Sequence, residues 1–253
     1  MSKQGYRIRG IVPAAGRGSR LGGTTPKALV QISPELRVID VVIHALESVC
    51  DQVCLVVATD FESNEHDPVL FSAVRCERIV QSNPTGMLDA IELGCDSVSQ
   101  SDVILVIWGD QVGVRAETLK RAVELHTNRD RTIVIPTVEV TNPYVQYVFA
   151  AGQLHEVRES REGHSCDPVG LADVGVFVMS RRGLTEAFAS YRSTAQASSI
   201  TGEVNFLPFL VWASSHSWTV TSFMTTHQNE TLGINTQEDL IKARALLVRS
   251  NHK

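Results

Sequence analysis

The stretch Ile11-Val-Pro-Ala-Ala-Gly-Arg-Gly-Ser-Arg-Leu-Gly-Gly-Thr-Thr-Pro-Lys27 decides the fold. A β-rich run, Arg7 to Pro13, feeds straight into a loop that holds Gly16, Gly18, Gly22 and Gly23. Without side chains in the way, the backbone N–H groups of such a loop can close on an anion such as a phosphate. Arg17, Arg20 and Lys27 add fixed positive charge, and Arg20 offers forked donors that a lysine lacks. A plain surface turn has no use for that combination. A dinucleotide-binding fingerprint opens a helix directly behind its glycines, whereas Gly22-Gly-Thr-Thr-Pro26 opposes a helix through two glycines and a proline. A Walker A loop needs Gly-Lys-Ser/Thr, which is missing here. What remains is an anion-binding loop of another kind, placed at the end of a strand.

Charge outside the loop agrees with this. Lys3, Arg7, Arg9, Arg17, Arg20 and Lys27 all fall between Met1 and Pro34, with no acid among them, so this segment carries +6. The whole chain of 253 residues carries −5, which leaves −11 on the remainder. A body this acidic excludes a broad nucleic-acid or anionic-membrane surface and favours a small anionic ligand at one end. No apolar run reaches the roughly 18 residues of a membrane span, and Met1 to Gly10 lacks an apolar signal core, so a cytoplasmic protein is expected. Cys50, Cys54, Cys76, Cys95 and Cys166 are odd in number and lack paired spacing, and are read as reduced thiols, the first two near the core.

Strand-length apolar runs alternate with helical patterns through the first half, which implies an α/β fold with a mostly parallel sheet covered by helices. Gln52 to Ala58 and Val103 to Trp108 are nearly all aliphatic, as strands buried on both faces should be. Val38 to Ser48, Gly86 to Ser97 and Ala116 to His126 space their apolar residues by three and four and read as crossover helices. Ile133 to Thr137 is a further strand. From Tyr144 the texture becomes β-rich, with runs at Tyr144 to Ala150, Leu154 to Arg158 and Leu171 to Val178 around the polar stretch Glu159 to Pro168. Helices at Arg182 to Tyr191 and Asn205 to Ser214, a strand at Trp218 to Met224 and a helix at Gln237 to Val248 complete the pattern. A Cys–His nucleophile at His164-Ser-Cys166-Asp167 is rejected, because sequence adjacency in a polar loop does not build a dyad.

Ala14-Ala-Gly-x-Gly-x-Arg20 followed by Pro26-Lys27 resembles the signature of nucleotidyltransferases that make NDP-sugars from a nucleoside triphosphate and a sugar 1-phosphate. The pattern is closest to the bacterial N-acetylglucosamine-1-phosphate uridylyltransferase domain and runs along nearly the whole chain. The resemblance implies a single Rossmann-like nucleotidyltransferase domain, a mixed, mostly parallel sheet flanked by helices with a β-rich sugar-binding subdomain. Residues 1–137 would be the nucleotide-binding half, 138–235 the sugar-phosphate-binding part and 236–253 a C-terminal helix. The acetyltransferase β-helix of the bifunctional enzyme has no counterpart in this sequence.

The resemblance also assigns roles. Ala14, Ala15, Gly16, Arg17, Gly18 and Ser19 would cradle the triphosphate, Arg20 and Lys27 would act on the reacting phosphates, and Gly109-Asp110 would bring a magnesium ligand. By position alone, Asp110 follows a buried strand at the edge where open α/β sheets hold ligands, and could equally cap a turn. Asn235 would complete the Mg²⁺ site, although Asn235 or Thr236 is also a good helix N-cap with Asp239 at capping-box spacing; both roles are compatible. Gln81, with Thr85 and Gly86, resembles the base-reading segment, with a spacing one residue shorter and with Met87-Leu88-Asp89-Ala90 in place of small residues, so the base is left open. Glu159, Asp173, Glu203 and Asn205 would contact the acceptor, although Glu203 and Asn205 by themselves read as a helix start.

Asp173 stands where the family has an asparagine, and Asn142-Pro-Tyr-Val-Gln-Tyr147 lacks the family's Gly-Tyr-Gly, so an acceptor other than N-acetylglucosamine 1-phosphate is expected. Hexosamines, neutral hexoses, cyclitol phosphates and phosphocholine-like alcohols stay open. The expected partners are thus an NTP and a sugar 1-phosphate or related phosphate, with neither nucleic acid nor membrane, and the β-rich region offers faces where identical subunits could pair. A catalytically silent nucleotide-binding protein and a hydride-transfer enzyme are the competing classes.

Overall fold

The computed structural model describes residues 6–16, 21, 25–61, 74–83, 85–97, 102–126, 130–200 and 202–250. Its strands are β1 (Ile8–Pro13), β2 (Gln31–Ser33), β3 (Leu36–Arg37), β4 (Gln52–Ala58), β5 (Arg75–Gln81), β6 (Val103–Ile107), β7 (Thr132–Thr141), β8 (Val145–Ala150), β9 (Gln153–Glu159), β10 (Val169–Asp173), β11 (Val176–Ser180) and β12 (Thr219–Met224). The helices are α1 (Val38–Leu46), α2 (Met87–Ser97), α3 (Ala116–His126), α4 (Leu184–Thr194), α5 (Phe206–Ser215) and α6 (Gln237–Ser250).

Ten strands form one mixed sheet in the order β5-β4-β1-β6-β11-β7-β10-β8-β9, with β12 paired to β7. β5, β4, β1 and β6 run parallel, with Gly10 opposite Val53 on one side and Leu105 on the other. These strands are aliphatic because both faces are covered. Along β4, Val53, Leu55 and Val57 enter a core with α1 and α3, while Cys54 and Val56 enter the opposite core with α2, α4 and α5. Each fully buried Val, Leu or Ile side chain contributes about 1.5–3 kcal/mol relative to an exposed one. α1 shows the local logic. Val38, Ile39, Val42, Ile43 and Leu46 form its buried stripe, and Asp40 accepts the Arg37 backbone N–H at 2.8 Å at the amino end, where a carboxylate also suits the helix dipole. Cys50, Cys54 and Cys95 are buried, and all five thiols are free.

Three features depart from the sequence expectation. The run Leu171 to Val178 is two strands, because Gly175 has φ +73° and turns the chain between them. As a result β7 changes neighbours along its length. It meets β11 at Ile133 and Val134, then β10 from Thr137 onward. Pro136, which has no N–H to donate, sits at the exchange. β5 is an additional edge strand whose charged residues, Arg75, Glu77 and Arg78, hide the alternation that marks a strand. β2 and β3 form a small hairpin apart from the main sheet. Among the described residues no helix is long and apolar enough to cross a membrane.

Candidate active site

The carboxyl ends of β1, β5 and β6 open onto a cleft of about 720 Å³ whose far wall is built by β8, β9 and β10. Open α/β sheets hold their ligands at this edge. At its floor, β1 runs into Ala14, Ala15 and Gly16, all lining the cleft, with the Ala14 N–H bonded to the Val56 carbonyl at 2.7 Å. The Lys27 N–H donates to the Gly16 carbonyl at 3.3 Å, closing the neck of the glycine-rich loop. Arg17, Gly18, Ser19 and Arg20, inside that loop, lie outside the described residues. Gly109 needs its missing side chain, since a Cβ there would stand 2.7 Å from the Pro13 carbonyl oxygen. The turn after β6 therefore packs directly on the end of β1 and sets Asp110 at the cleft.

Asn235 arrives from the other end of the chain. Gln111 and Gly233 form an antiparallel bridge, and the Ile234 N–H donates to the Asp110 carbonyl at 3.0 Å. Thr236 and Asp239 form the expected capping box: Asp239 accepts the Thr236 N–H at 2.8 Å, and Thr236 Oγ1 accepts the Asp239 N–H at 3.2 Å. With Thr236 as the cap, the Asn235 side chain is left for the cleft. There Lys27 Nζ donates to Asp110 Oδ2 and, at 2.7 Å, to Asn235 Oδ1. The two oxygens that sequence assigns to a metal thus already converge on one cation, the lysine ammonium. Hard oxygens with few protein ligands suit Mg²⁺, which keeps waters and takes substrate phosphates. Asp110 and Asn235 could hold it, with Asp173 close enough for the Asp110 charge to act on its carboxyl.

The upper walls carry the remaining candidates. Gln81, 6% exposed at the end of β5, lines the cleft, and its Nε2 donates to the Gly86 carbonyl at 3.4 Å. Gly86 lies at φ +132° and packs against the side chain of Glu203, which joins the two halves of the cleft. Thr85 points elsewhere, its exposed hydroxyl on the Asn83 carbonyl at 3.4 Å. Glu159 is 2% exposed, and burial raises its carboxyl above the ordinary carboxylate range despite the Arg161 guanidinium 3.2 Å away. Asp173 is raised too, again by burial, although it accepts the Gly175 N–H at 2.6 Å. Asn205 is buried behind the wall; its Oδ1 accepts from Arg161 at 3.2 Å and its Nδ2 donates to Glu162 at 3.1 Å. It aims Arg161 and does not itself line the cleft. The His164 stretch takes no part: His164 Nδ1 accepts the Glu159 N–H at 3.1 Å, and Asp167 is held by Gln146 at 2.6 Å.

Tyr144, within the Asn142–Tyr147 segment singled out for the acceptor, lines the cleft, and sequence reasoning missed Trp108, Gln111 and Arg161, which line it too. Trp108 was legible as the end of an apolar strand; nothing local marks the others.

A Rossmann-like mixed sheet carries a glycine-rich segment behind β1, and a lysine, a carboxylate and an asparagine converge at the ends of β1 and β6, the arrangement expected of a nucleotidyltransferase. Residues 10–201 match the MobA-like NTP transferase domain, and the chain belongs to that family. Curated relatives include the bifunctional protein GlmU of a Wolbachia species associated with Brugia malayi, 23% identical over 96% of this chain and 58% of the relative, and that of Rhodopseudomonas palustris, 25% identical over 94% and 52%. The chain thus spans about half the length of these relatives. Among solved structures, a Bacillus anthracis protein assigned as a glucose-1-phosphate thymidylyltransferase, solved with sucrose, aligns with a TM-score of 0.75 over 94% of both chains at 21% identity. The 4-diphosphocytidyl-2C-methyl-D-erythritol synthase of Anaerococcus prevotii aligns with a TM-score of 0.69 over 96% of both at 15% identity. At these identities the structural likeness speaks for the fold alone.

Proposed function

We infer that this chain transfers a nucleotidyl group from an NTP to a sugar 1-phosphate or related phosphorylated alcohol, releasing pyrophosphate. The observation that carries this reading is the Lys27 ammonium held by Asp110 and Asn235 at the end of the β1 loop. An oxygen of the acceptor phosphate attacks the α-phosphorus in line; the new P–O bond forms as the bond to the β-phosphate oxygen breaks, and pyrophosphate leaves with that electron pair. The attacking oxygen is already ionised near neutral pH, so no general base is required. Catalysis rests on positioning and charge stabilisation.

The residues divide the work. Backbone N–H groups of the loop from Ala14, with Arg17 and Arg20, hold the departing phosphates, and Lys27 stabilises charge around the α-phosphorus. Asp110 and Asn235 would hold Mg²⁺, which when bound lowers the repulsion between the two phosphates. Gln81 and Gly86 face the base, with Thr85 beside them, while Glu159, Asp173 and Glu203 face the acceptor and Asn205 acts through Arg161. Residues 1–137 serve mainly the nucleotide and 138–235 the acceptor, and the free thiols accord with a cytoplasmic setting.

The test is a matrix of the common NTPs against phosphorylated sugars and alcohols, read as magnesium-dependent pyrophosphate release. One NTP with one acceptor class should stand out, and Asp110→Asn should lower that rate at least about 10²-fold, the scale of losing one electrostatic stabiliser. Tight NTP binding without pyrophosphate release from any acceptor would overturn the transferase reading in favour of a silent nucleotide binder.

A further inference from the structure

The acceptor wall of the cleft holds more negative charge than a neutral sugar needs. Among the described residues the charged groups lining the cleft are Lys27 and Arg161 against Asp110, Glu159, Asp173 and Glu203. Both cations are engaged. Lys27 is held by Asp110 and Asn235, and Arg161 by Glu159 at 3.2 Å and Glu162 at 3.5 Å. Asp173 accepts the Gly175 N–H, and the side chain beside it is the buried Tyr147 phenol, which cannot neutralise a carboxylate. Among the described residues no cationic side chain pairs with Asp173. A desolvated carboxylate without a counter-charge is costly, and the cost is relieved when a ligand supplies the charge.

A second observation is independent of the acids. Gln111 lines the same cleft next to Asp110, is 7% exposed, and its buried Oε1 has no hydrogen-bond partner. A buried carbonyl oxygen is satisfied only by a donor, which an ionised phosphate does not provide and an N–H or O–H on the rest of the acceptor does. The indole of Trp108, part of the same lining and set edge-on to Phe206 at a centroid distance of 5.8 Å, adds an aromatic surface of the kind that attracts cations.

We propose that the phosphorylated acceptor carries a protonated amine, received by the wall of Glu159, Asp173 and Glu203 beside Trp108 and Gln111 while its phosphate points to Lys27. This deepens the transferase reading and rests on it for the orientation of the acceptor. Two sources share the chemistry, an amino-sugar phosphate and a phosphorylated amino alcohol.

The experiment compares glucosamine 1-phosphate with glucose 1-phosphate, and phosphoethanolamine with propyl phosphate. Each is titrated calorimetrically into the full chain holding magnesium and an α,β-methylene NTP, and each is assayed for pyrophosphate release with the NTP. At least one amine should bind roughly tenfold or more tightly than its neutral counterpart, the order of one cation–carboxylate contact in a partly desolvated site. The pair that shows the preference identifies the source. Asp173→Asn should collapse that ratio towards one, with circular dichroism confirming the fold. Equal or weaker binding of both amines, no binding by any of the four, or an unchanged ratio in Asp173→Asn overturns the proposal. Amine preference without pyrophosphate release would sink the transferase reading alone, whereas turnover of the neutral acceptors without amine preference would sink this inference alone.

Discussion

Lys27→Met should move metal binding and turnover in opposite directions. The Lys27 ammonium lies on the Asp110 carboxylate and on Asn235 Oδ1, the two oxygens assigned to magnesium, so lysine and metal compete for them. Two unit charges at contact distance interact by about 4 kcal/mol at an effective dielectric of roughly 20. The two side chains keep 18% and 20% exposure, and solvent screening together with the desolvation already incurred reduces the usable part to about 1–1.5 kcal/mol. Removing the ammonium should therefore tighten divalent-metal binding by the nucleotide-free protein about tenfold. Paramagnetic Mn²⁺ serves as the probe, its free fraction read by electron paramagnetic resonance. In the same variant, pyrophosphate release should fall about 10²-fold or more, because the charge around the α-phosphorus has lost its fixed cation. A purely structural lysine would give neither sign. Unchanged or weakened Mn²⁺ affinity in the folded variant would refute the shared-oxygen argument, even if turnover fell.

His126 is fully buried with Nε2 3.2 Å from Ser180 Oγ, and burial lowers its pKa to about 4. The unfolded chain takes up that proton near pH 6.5 and the native state only near 4, so stability measured by urea should drop by up to about 3 kcal/mol across that window as pH falls; His126→Gln should flatten the slope by about one proton, and a parallel slope would place the titration elsewhere. Gly94→Ala puts a Cβ 2.6 Å from Ile11 Cγ2, between α2 and β1. Overpacking there should outweigh the helix-propensity gain of about 1 kcal/mol and leave a net loss of about 1–2 kcal/mol. Ile11→Ala in the same chain should recover part of that loss as a non-additive term in thermal or urea unfolding, whereas strict additivity would show that the two side chains do not meet. Thr236→Ala removes the α6 cap and should cost about 1 kcal/mol in urea unfolding; a larger loss of turnover than of stability would show that the cap also holds Asn235 in place.

How far the sequence reveals such features depends on whether a residue's neighbours in the chain are also its neighbours in space. β1, β4 and β6 are legible because burial on both faces leaves unbroken aliphatic runs, and α1 and α3 because one covered face imposes a period of three to four. β5 escapes notice because an edge strand pays little for Arg75, Glu77 and Arg78, and the kink at Gly175 escapes notice because the apolar run continues through it. The same rule divides the site. The glycine loop and Gly109-Asp110 are continuous with strands, so local sequence places them. Thr236 and Asp239 explain their own spacing as a capping box, which by itself would make Asn235 an ordinary helix start. Only the bridge between Gln111 and Gly233 carries Asn235 across to Asp110, and only the packing of β9 against the segment before α5 turns Arg161 towards the cleft between Glu159 and Asn205. Residues whose role depends on pairing across forty or more positions have no local pattern to betray them. For that reason Ala14 to Gly16 and Gly109-Asp110 follow from continuous stretches of sequence, while the charge balance of the opposite wall, Glu159, Arg161, Asp173 and Glu203, emerges only in the folded chain.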